Sequence, residues 1–211
     1  PNIVKQCGEK GIRAAIVVGQ GFAEAEDEEG KRLQQRVVEA ARKGGVRVLG
    51  PNTFGSANAY INFSTAFHKQ MDMRKWPVGV ISQSGLFFGT IGRLRLIGKG
   101  IDVGNTCDVD IADALEYFEQ DAEVKVIVLH IEGINEGKRF KEVAQRVAKV
   151  KPVLAMKTGR SERAACDRRG RSAMRSPRGT WRIAPSMRPR RRKRWRCSTR
   201  SRSMRCASCR R

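Results

Sequence analysis

An α/β fold with a parallel sheet and crossover helices is predicted for residues 1–165 of this 211-residue chain. Two observations lead to this prediction. Short β-branched apolar runs alternate with amphipathic, charge-rich stretches, and several of the runs end at glycine or another turn residue. Because the carboxyl ends of parallel strands meet at one edge of a sheet, polar residues that follow these runs are the first candidates for a ligand site.

The first α/β unit is predicted from two strands and the helix between them. Residues 14–18 form a β-branched run that ends at Gly19. Residues 31–43 carry apolar side chains at helical spacing and are followed by two glycines, which is typical of a helix end. Residues 46–49 then give a second strand, which ends in a Gly-Pro-Asn turn.

A second series of elements follows a connection at residues 61–76. The residue pattern predicts strands at 78–81, 124–130 and 152–156, and helices from 85 to about 97, at 111–118 and at 139–148. Residues 104–110 are polar and predict a loop. The whole stretch 77–165 therefore predicts one further α/β domain.

Charge separates the last part of the chain from the rest. The formal net charge is +22, but residues 166–211 contain 18 Lys and Arg against the single acid Asp167. This segment has no apolar periodicity, so it is predicted to be a disordered Arg-rich tail. Residues 1–165 carry 25 basic and 20 acidic residues and are only mildly basic.

Cysteine usage and hydropathy limit the class of protein. Cys7 and Cys107 are far apart in an α/β pattern, which favours reduced thiols and a cytoplasmic location. The spacing of Cys206 and Cys209 lacks a second ligand pair, so no metal site is expected in this chain. No run of about 18 apolar residues occurs, and neither a membrane span nor a secretory leader is expected.

Ser82, Gln83, Ser84 and Gly85 form the turn between a predicted strand and a predicted helix. Free backbone N–H groups at a helix start and the helix dipole favour a bound phosphate. Two hydroxyl side chains can add hydrogen bonds, and the glycine lets a ligand approach the backbone. The alternative is that one of the serines only caps the helix, and the pattern by itself leaves both interpretations open.

Three further residues follow predicted strands. Asn52 and Thr53 come after the strand at 46–49, where open α/β sheets place ligands, although the pattern alone favours an ordinary turn. Glu132 follows the strand at 124–130 as a candidate catalytic carboxylate or as a solvated surface residue. Of the two histidines, His130 lies inside an apolar strand and is interpreted as a packed residue, and His68 lies in the connection without a catalytic partner.

Taken in order, these motifs resemble the α-type region of NDP-forming acyl-CoA synthetases, which are relatives of the succinyl-CoA synthetase α subunit. The resemblance covers about residues 1–165 and rests on several motifs in register: residues 50–55, 80–85, 104–110, 112–117, 132–133 and 151–162. It implies a partial Rossmann-like CoA-binding domain at 1–60, a connection at 61–76 and a flavodoxin-like parallel-sheet domain at 77–165.

The resemblance also implies a reaction and its residues. The family joins an organic acid to CoA with ATP or GTP, through an acyl phosphate and a phosphorylated histidine. Ser82, Gln83, Ser84 and Gly85 would hold the phosphate of that histidine, and Glu132 would support the histidine. Asn52 and Thr53 would lie near the thiol end of CoA. The nucleotide and Mg²⁺ would be bound by a partner, a β-type ATP-grasp subunit or domain.

Two departures from the family pattern affect this expectation. No glycine-rich opening of the CoA domain precedes residue 14, so the chain is expected to be a fragment that enters that domain about halfway. The histidine-bearing loop that follows residues 157–162 in the family is absent, and residues 166–211 are interpreted as an out-of-frame translation. A chain without the nucleophile is expected to be inactive alone.

Two other functions compete with the ligase interpretation. The Arg-rich tail could bind nucleic acid non-specifically through phosphate contacts. However, Trp181 and Trp195 are its only aromatic residues, and no groove-reading motif accompanies them. A stand-alone CoA- or phosphate-binding module is the other alternative, and the missing first half of the binding domain weakens it.

Overall fold

The computed structural model of the chain describes residues 1–65, 74–93 and 96–158. All of these residues belong to one unit, Pro1–Met174. His68, the motif residues 160–162 and the predicted tail at 166–211 lie outside the described residues. Within the described part of the chain, no helix combines the length and the apolar character that a membrane crossing needs.

A two-stranded parallel sheet and two helices form the first layer of the fold. β1 (Ala14–Ile16) pairs with β2 (Arg47–Leu49), and α1 (Asn2–Glu9) packs against α2 (Glu28–Gly44). A short 3-10 helix, Ala23–Ala25, precedes α2. The buried residues of this layer are Val4, Phe22, Val37, Ala41, Val46 and Val48.

Local sequence explains where α2 begins and ends. The Asp27 carboxylate accepts a hydrogen bond from the Gly30 N–H at 2.6 Å, which caps the first turn. Gly45 ends the helix in the left-handed conformation, with φ 63°. Glycine also sets the distance between the two helices, because a Cβ on Gly8 would lie only 2.6 Å from the Cα of Gly44.

A six-stranded sheet forms the second part of the fold, with strand order β4-β3-β6-β5-β7-β8. Strands β5 to β8 are parallel to one another, whereas β3 runs antiparallel to both β4 and β6, so the sheet is mixed. The strands are β3 (Gly55–Asn58), β4 (Phe63–Ser64), β5 (Val78–Ser82), β6 (Lys99–Asp102), β7 (Val126–Ile131) and β8 (Val153–Lys157).

Helices cover both faces of this sheet. α3 (Gly85–Arg93) packs on one face, where Phe88 is fully buried against Val80 and Ile97. α4 (Ile111–Gln120) and α5 (Gly137–Val147) pack on the other face, and the core there includes Ile81, Leu115, Phe118 and Leu129. Successive residues of β5 therefore point to opposite helix layers, as the pleat of a strand requires.

The predicted α/β fold is confirmed, and the differences lie in elements with weak sequence signals. The helix predicted to reach residue 97 ends at Arg93. α1, β3, β4 and β6 were not predicted. β6 (Lys-Gly-Ile-Asp) and β3 (Gly-Ser-Ala-Asn) contain few β-branched residues, so their extended form depends on pairing within the sheet rather than on local propensity.

Two segments that the sequence analysis placed outside the second domain contribute strands to the larger sheet. The sequence assigns residues 1–60 to the first domain and 61–76 to a connection. In the structure β3 comes from the first of these segments and β4 from the second, and both are strands of the six-stranded sheet. Pairing of Gly55 with Asp102 brings the turn after β2 to the edge of that sheet.

Candidate functional site

Three polar residues lie in one row near the carboxyl edge of the six-stranded sheet. Ser82, the last residue of β5, is in register with Asp102 of β6 and with His130 of β7. Residues in register on neighbouring strands point to the same face of a sheet. His130 stacks on Phe87 of α3 with 4.5 Å between ring centroids, so this is the face that α3 covers. The row therefore lies beneath the start of α3.

The turn into α3 is held by its own serines. The Ser82 hydroxyl accepts a hydrogen bond from the Ser84 N–H at 3.0 Å and donates to the Ser84 carbonyl at 2.9 Å. The Ser84 hydroxyl in turn accepts from the Phe87 N–H at 3.4 Å, as a helix cap. Ser82 is completely buried, so its hydroxyl stabilises the turn. The N–H groups of Gly85 and Leu86, in the first turn of α3, have no acceptor within the helix.

Gln83 connects this turn to the end of β7. Its side-chain Oε1 accepts hydrogen bonds from the backbone N–H groups of Glu132 at 2.7 Å and Gly133 at 3.0 Å. Its own N–H donates to the His130 carbonyl at 3.2 Å. These three bonds fix the position of the Glu132 backbone relative to the start of α3.

Asn52 and Thr53 lie in the turn that leads from β2 to β3. Asn52 adopts a left-handed conformation with φ 56°, which asparagine tolerates better than most residues. The Thr53 hydroxyl donates to the Asp102 carbonyl and accepts from the Gly55 N–H at 2.8 Å. Thr53 is buried, so its hydroxyl bonds inside the fold and its contribution to the site is to shape the turn.

These turns enclose a cleft of about 310 Å³ at the carboxyl edge of the sheet. Of the predicted site residues, those that line it are Asn52, Thr53, Gln83, Ser84, Gly85 and Glu132. Ser82 is the one predicted site residue that does not line the cleft. Clefts that enclose drug-sized ligands measure roughly 300–1,000 Å³, so this one has room for a phosphoryl group and the part of a ligand next to it.

Gly85 allows the close packing at the entrance to α3. A Cβ at this position would lie 2.8 Å from the ring of Phe54, which also lines the cleft. The sequence suggested that this glycine lets a ligand reach the backbone. In the structure its immediate effect is to let the Phe54 ring lie against the first turn of α3.

Asp102 is the residue of the cleft that sequence reasoning missed. Its side chain is completely buried, and burial raises the pKa of its carboxyl group to about 6. The N–H of Phe54 donates a hydrogen bond to Oδ2 at 2.7 Å. This bond stabilises the carboxylate and lowers its pKa, but burial has the larger effect. The signal was an acidic residue two positions before the polar loop at 104–110, and it could be recognised only once residues 99–102 were known to form a strand.

His130 is packed, as its apolar context predicted. It is 5% exposed, and burial lowers the pKa of its imidazole. It does not line the cleft, and it stacks on Phe87 instead. Glu132, in contrast, reaches the cleft, and the Lys157 ammonium group donates to its backbone carbonyl at 2.7 Å. Within residues 1–65, 74–93 and 96–158, no group of three or more His, Cys, Asp or Glu side chains could hold a metal ion.

Curated relatives of the chain are acid–CoA ligase subunits. Two of them, from Pyrococcus furiosus, are the α subunits of ADP-forming acetate–CoA ligases I and II, with 40% identity over 170 residues and 42% over 186 residues. The matched stretches cover 78% and 84% of this chain, and 36% and 39% of the relatives. The chain therefore spans less than two fifths of the length of these relatives.

Solved structures and a family model give the same result. The dinucleotide forming acetyl-coenzyme A synthetase 1 of Ca. Korarchaeum cryptofilum, in complex with phosphate and ADP, matches with a TM-score of 0.72 and 34% identity. The match covers 80% of this chain and 38% of that one. The model of the succinyl-CoA ligase like flavodoxin domain matches residues 75–184. The resemblance found in the motifs is thus confirmed, and the chain belongs to the succinyl-CoA-ligase-like flavodoxin domain family, alongside α subunits of ADP-forming acetate–CoA ligases.

Proposed function

We propose that this chain provides the phosphate-binding part of an NDP-forming acid–CoA ligase. The reaction converts an acyl-CoA, a nucleoside diphosphate and phosphate into the acid, CoA and a nucleoside triphosphate. One observation carries the proposal: the turn before α3, the turn after β2 and the end of β7 line a single cleft at the carboxyl edge of the sheet. The relatives with this function support it.

The start of α3 would hold the phosphoryl group. The N–H groups of Gly85 and Leu86 point out of the first helical turn, and the helix dipole adds a partial positive charge there. Ser84 adds a hydroxyl group at the same place. Glu132 would orient an imidazole that enters the cleft, because Gln83 fixes its backbone next to the helix start.

The nucleophilic histidine would come from outside the described residues or be absent. The sequence contains two histidines, His68 and His130, and His130 is buried away from the cleft. Residues 159–211 contain none. We therefore expect the chain alone to bind phosphate at the cleft without turning over substrate.

The remaining substrates would be shared with a partner. The turn with Asn52 and Thr53, which lines the cleft, would lie next to the thiol end of CoA. When bound, CoA supplies the thiol that accepts the acyl group. A β-type ATP-grasp subunit or domain would bind ATP or GTP with Mg²⁺. Cys7 and Cys107 are free thiols, in keeping with a cytoplasmic protein.

Replacement of Ser84 by aspartate tests the phosphate site. Aspartate is a good helix cap, so Ser84→Asp should leave α3 intact while it places a negative charge in the cleft. Titration of the full chain with inorganic phosphate, followed through the backbone amide NMR signals of Gly85 and Leu86, should saturate in the wild type. We expect Ser84→Asp to weaken this binding at least about tenfold, since roughly 1.4 kcal/mol of repulsion is sufficient.

Asn2→Asp is the matched control, because it adds the same charge at an exposed position in the first turn of α1. It should leave phosphate binding unchanged. Equal effects of the two variants, or no saturable shift of the Gly85 and Leu86 signals in the wild type, would contradict the proposal. ATP formation from acetyl-CoA, ADP and phosphate by the chain alone would refute the expected lack of turnover.

A further inference from the structure

Asp102 lines the cleft, and its two carboxylate oxygens differ in their hydrogen bonds. Oδ2 accepts a hydrogen bond from the Phe54 N–H at 2.7 Å. Oδ1 is buried and has no hydrogen-bond partner within the described residues. A buried polar atom without a partner is uncommon in folded proteins and requires a physical explanation. The position of this atom, below the start of α3, suggests one.

An anion at the start of α3 and a negative charge on Asp102 would oppose each other. In the part of the chain that the structure describes, the residues that line the cleft include no lysine or arginine, and the charged ones are Asp102 and Glu132. An ionised Asp102 would repel an anion held by the amides of Gly85 and Leu86, whereas a protonated Asp102 would not. The protonation state of this buried group therefore affects how well the cleft accepts an anion.

Few other charges act on Asp102 from the elements packed around it. β3 and β5, the two strands that pair with β6, carry no charged residue, and the charged residue of α3 is Arg93, at its last position. Glu132 adds a negative charge near the carboxyl group. His130 lies two strands away in the same row, and Lys157 bonds to the Glu132 carbonyl.

Asp102 can change its protonation near neutral pH. Burial raises the pKa of Asp102 to about 6, with a small contribution from the Glu132 charge. Hydrogen bonds from the Phe54 and Gly104 N–H groups and from the Thr53 hydroxyl act in the opposite direction and offset part of this rise. A bound anion adds a further negative charge nearby, and a like charge raises the pKa of a carboxyl group. Binding of an anion should therefore increase the fraction of Asp102 that carries a proton.

We propose that the cleft binds tetrahedral oxyanions preferentially when Asp102 carries a proton, so that anion binding increases proton uptake at this residue. This inference rests on the proposed phosphate site and identifies a group that controls the affinity of that site. Asp102 acts on the affinity through its charge. The apparent affinity for an anion then falls as the pH rises, because the form that binds well becomes a smaller fraction of the protein.

Sulfate is the probe that tests this proposal. Sulfate stays a dianion between about pH 5 and pH 8, whereas phosphate changes its own charge within this range. The amide signals of Gly85 and Leu86 in the full chain report binding at α3 and not at the arginines of residues 166–211. We expect the dissociation constant to rise roughly five- to tenfold between about pH 5 and pH 7.5, because an anion that raises the pKa of Asp102 by about one unit changes the affinity at most tenfold.

Asp102→Asn is the decisive variant. The asparagine side chain has the same shape, still accepts from the Phe54 N–H and places a neutral NH₂ group where Oδ1 lies. Its sulfate affinity should vary less than about threefold over the same range and should exceed that of the wild type at about pH 7.5. Glu132→Gln is the matched control, because it removes the other carboxylate of the cleft and should keep the pH dependence. Asp102→Ser serves the same purpose if the asparagine variant fails to fold.

The possible results separate this inference from the proposed function. Saturable sulfate binding with a steep pH dependence that Asp102→Asn removes supports the inference. Saturable binding with the same pH dependence in the wild type and in Asp102→Asn overturns the inference and leaves the phosphate site in place. No binding at Gly85 and Leu86 at any pH overturns both. A carboxyl carbon signal of Asp102 whose pKa is the same with and without sulfate also overturns the inference.

Discussion

At the scale of single residues, Asp102 shows how the fold sets the chemistry of the cleft. Its carboxyl group has a pKa of about 6 in the folded chain, against an ordinary value of 3.8 for an aspartate. The folded state therefore holds a proton that the unfolded state has released over this interval. The stabilisation from this group is complete below about pH 4, near the unfolded pKa, and is lost as the pH rises through about 6.

Asp102→Asn should accordingly stabilise the chain in a pH-dependent way. At about pH 7.5 we expect its free energy of unfolding to exceed that of the wild type by on the order of 3 kcal/mol, because the buried charge is gone. At about pH 4 the two proteins should unfold at the same urea concentration. Urea denaturation at both pH values measures this difference, and a stabilisation of equal size at the two values would contradict the assigned pKa.

At the scale of elements, the site depends on how the ends of three strands are joined. The Ser82 hydroxyl stabilises the turn from β5 into α3 through a hydrogen bond. The Gln83 side chain connects this turn to the end of β7 through two more hydrogen bonds. The turn after β2 reaches the same place because β3 pairs with β6. No single element forms the cleft, so its geometry depends on these cross-connections.

Gln83→Ala tests the connection between α3 and β7. The variant removes the acceptor of the Glu132 and Gly133 N–H groups, which lie at the surface and can bond to water instead. We expect a loss of roughly 1 kcal/mol of stability and faster hydrogen exchange at these two amides. Gln83→Glu keeps an oxygen acceptor and serves as the control. Unchanged exchange at Glu132 and Gly133 in the alanine variant would show that the bonds do not hold the loop.

The sequence predicted those elements whose signal is local. Residues 78–81 and 124–130 are rich in β-branched and apolar residues, and both became central parallel strands. β6 contains only Ile101 as a β-branched residue and is extended because β3 and β5 pair with it. Asp102 could not be recognised as a site residue for the same reason, since its row is defined by strand register and not by spacing along the chain.

At the scale of the whole molecule, the segment that carries most of the positive charge is not the segment that forms the cleft. Most of the net charge of +22 comes from residues 166–211, whereas the described residues that line the cleft lie within 18–132 and include two carboxylates and no basic side chain. Among these residues, affinity for a phosphoryl group comes from backbone amides, the dipole of α3 and the Ser84 hydroxyl. A high isoelectric point is therefore no guide to where this chain binds an anion.

The central claim is that the start of α3 binds a tetrahedral oxyanion. Crystals of the full chain grown with selenate, a tetrahedral oxyanion that stays a dianion in mild acid, test it directly through anomalous difference density at the selenium edge. The account predicts a peak in the cleft, within hydrogen-bond distance of the Gly85 and Leu86 amide nitrogens, at about pH 5 to 6. An empty cleft, with selenate bound only to arginine side chains elsewhere, would contradict it.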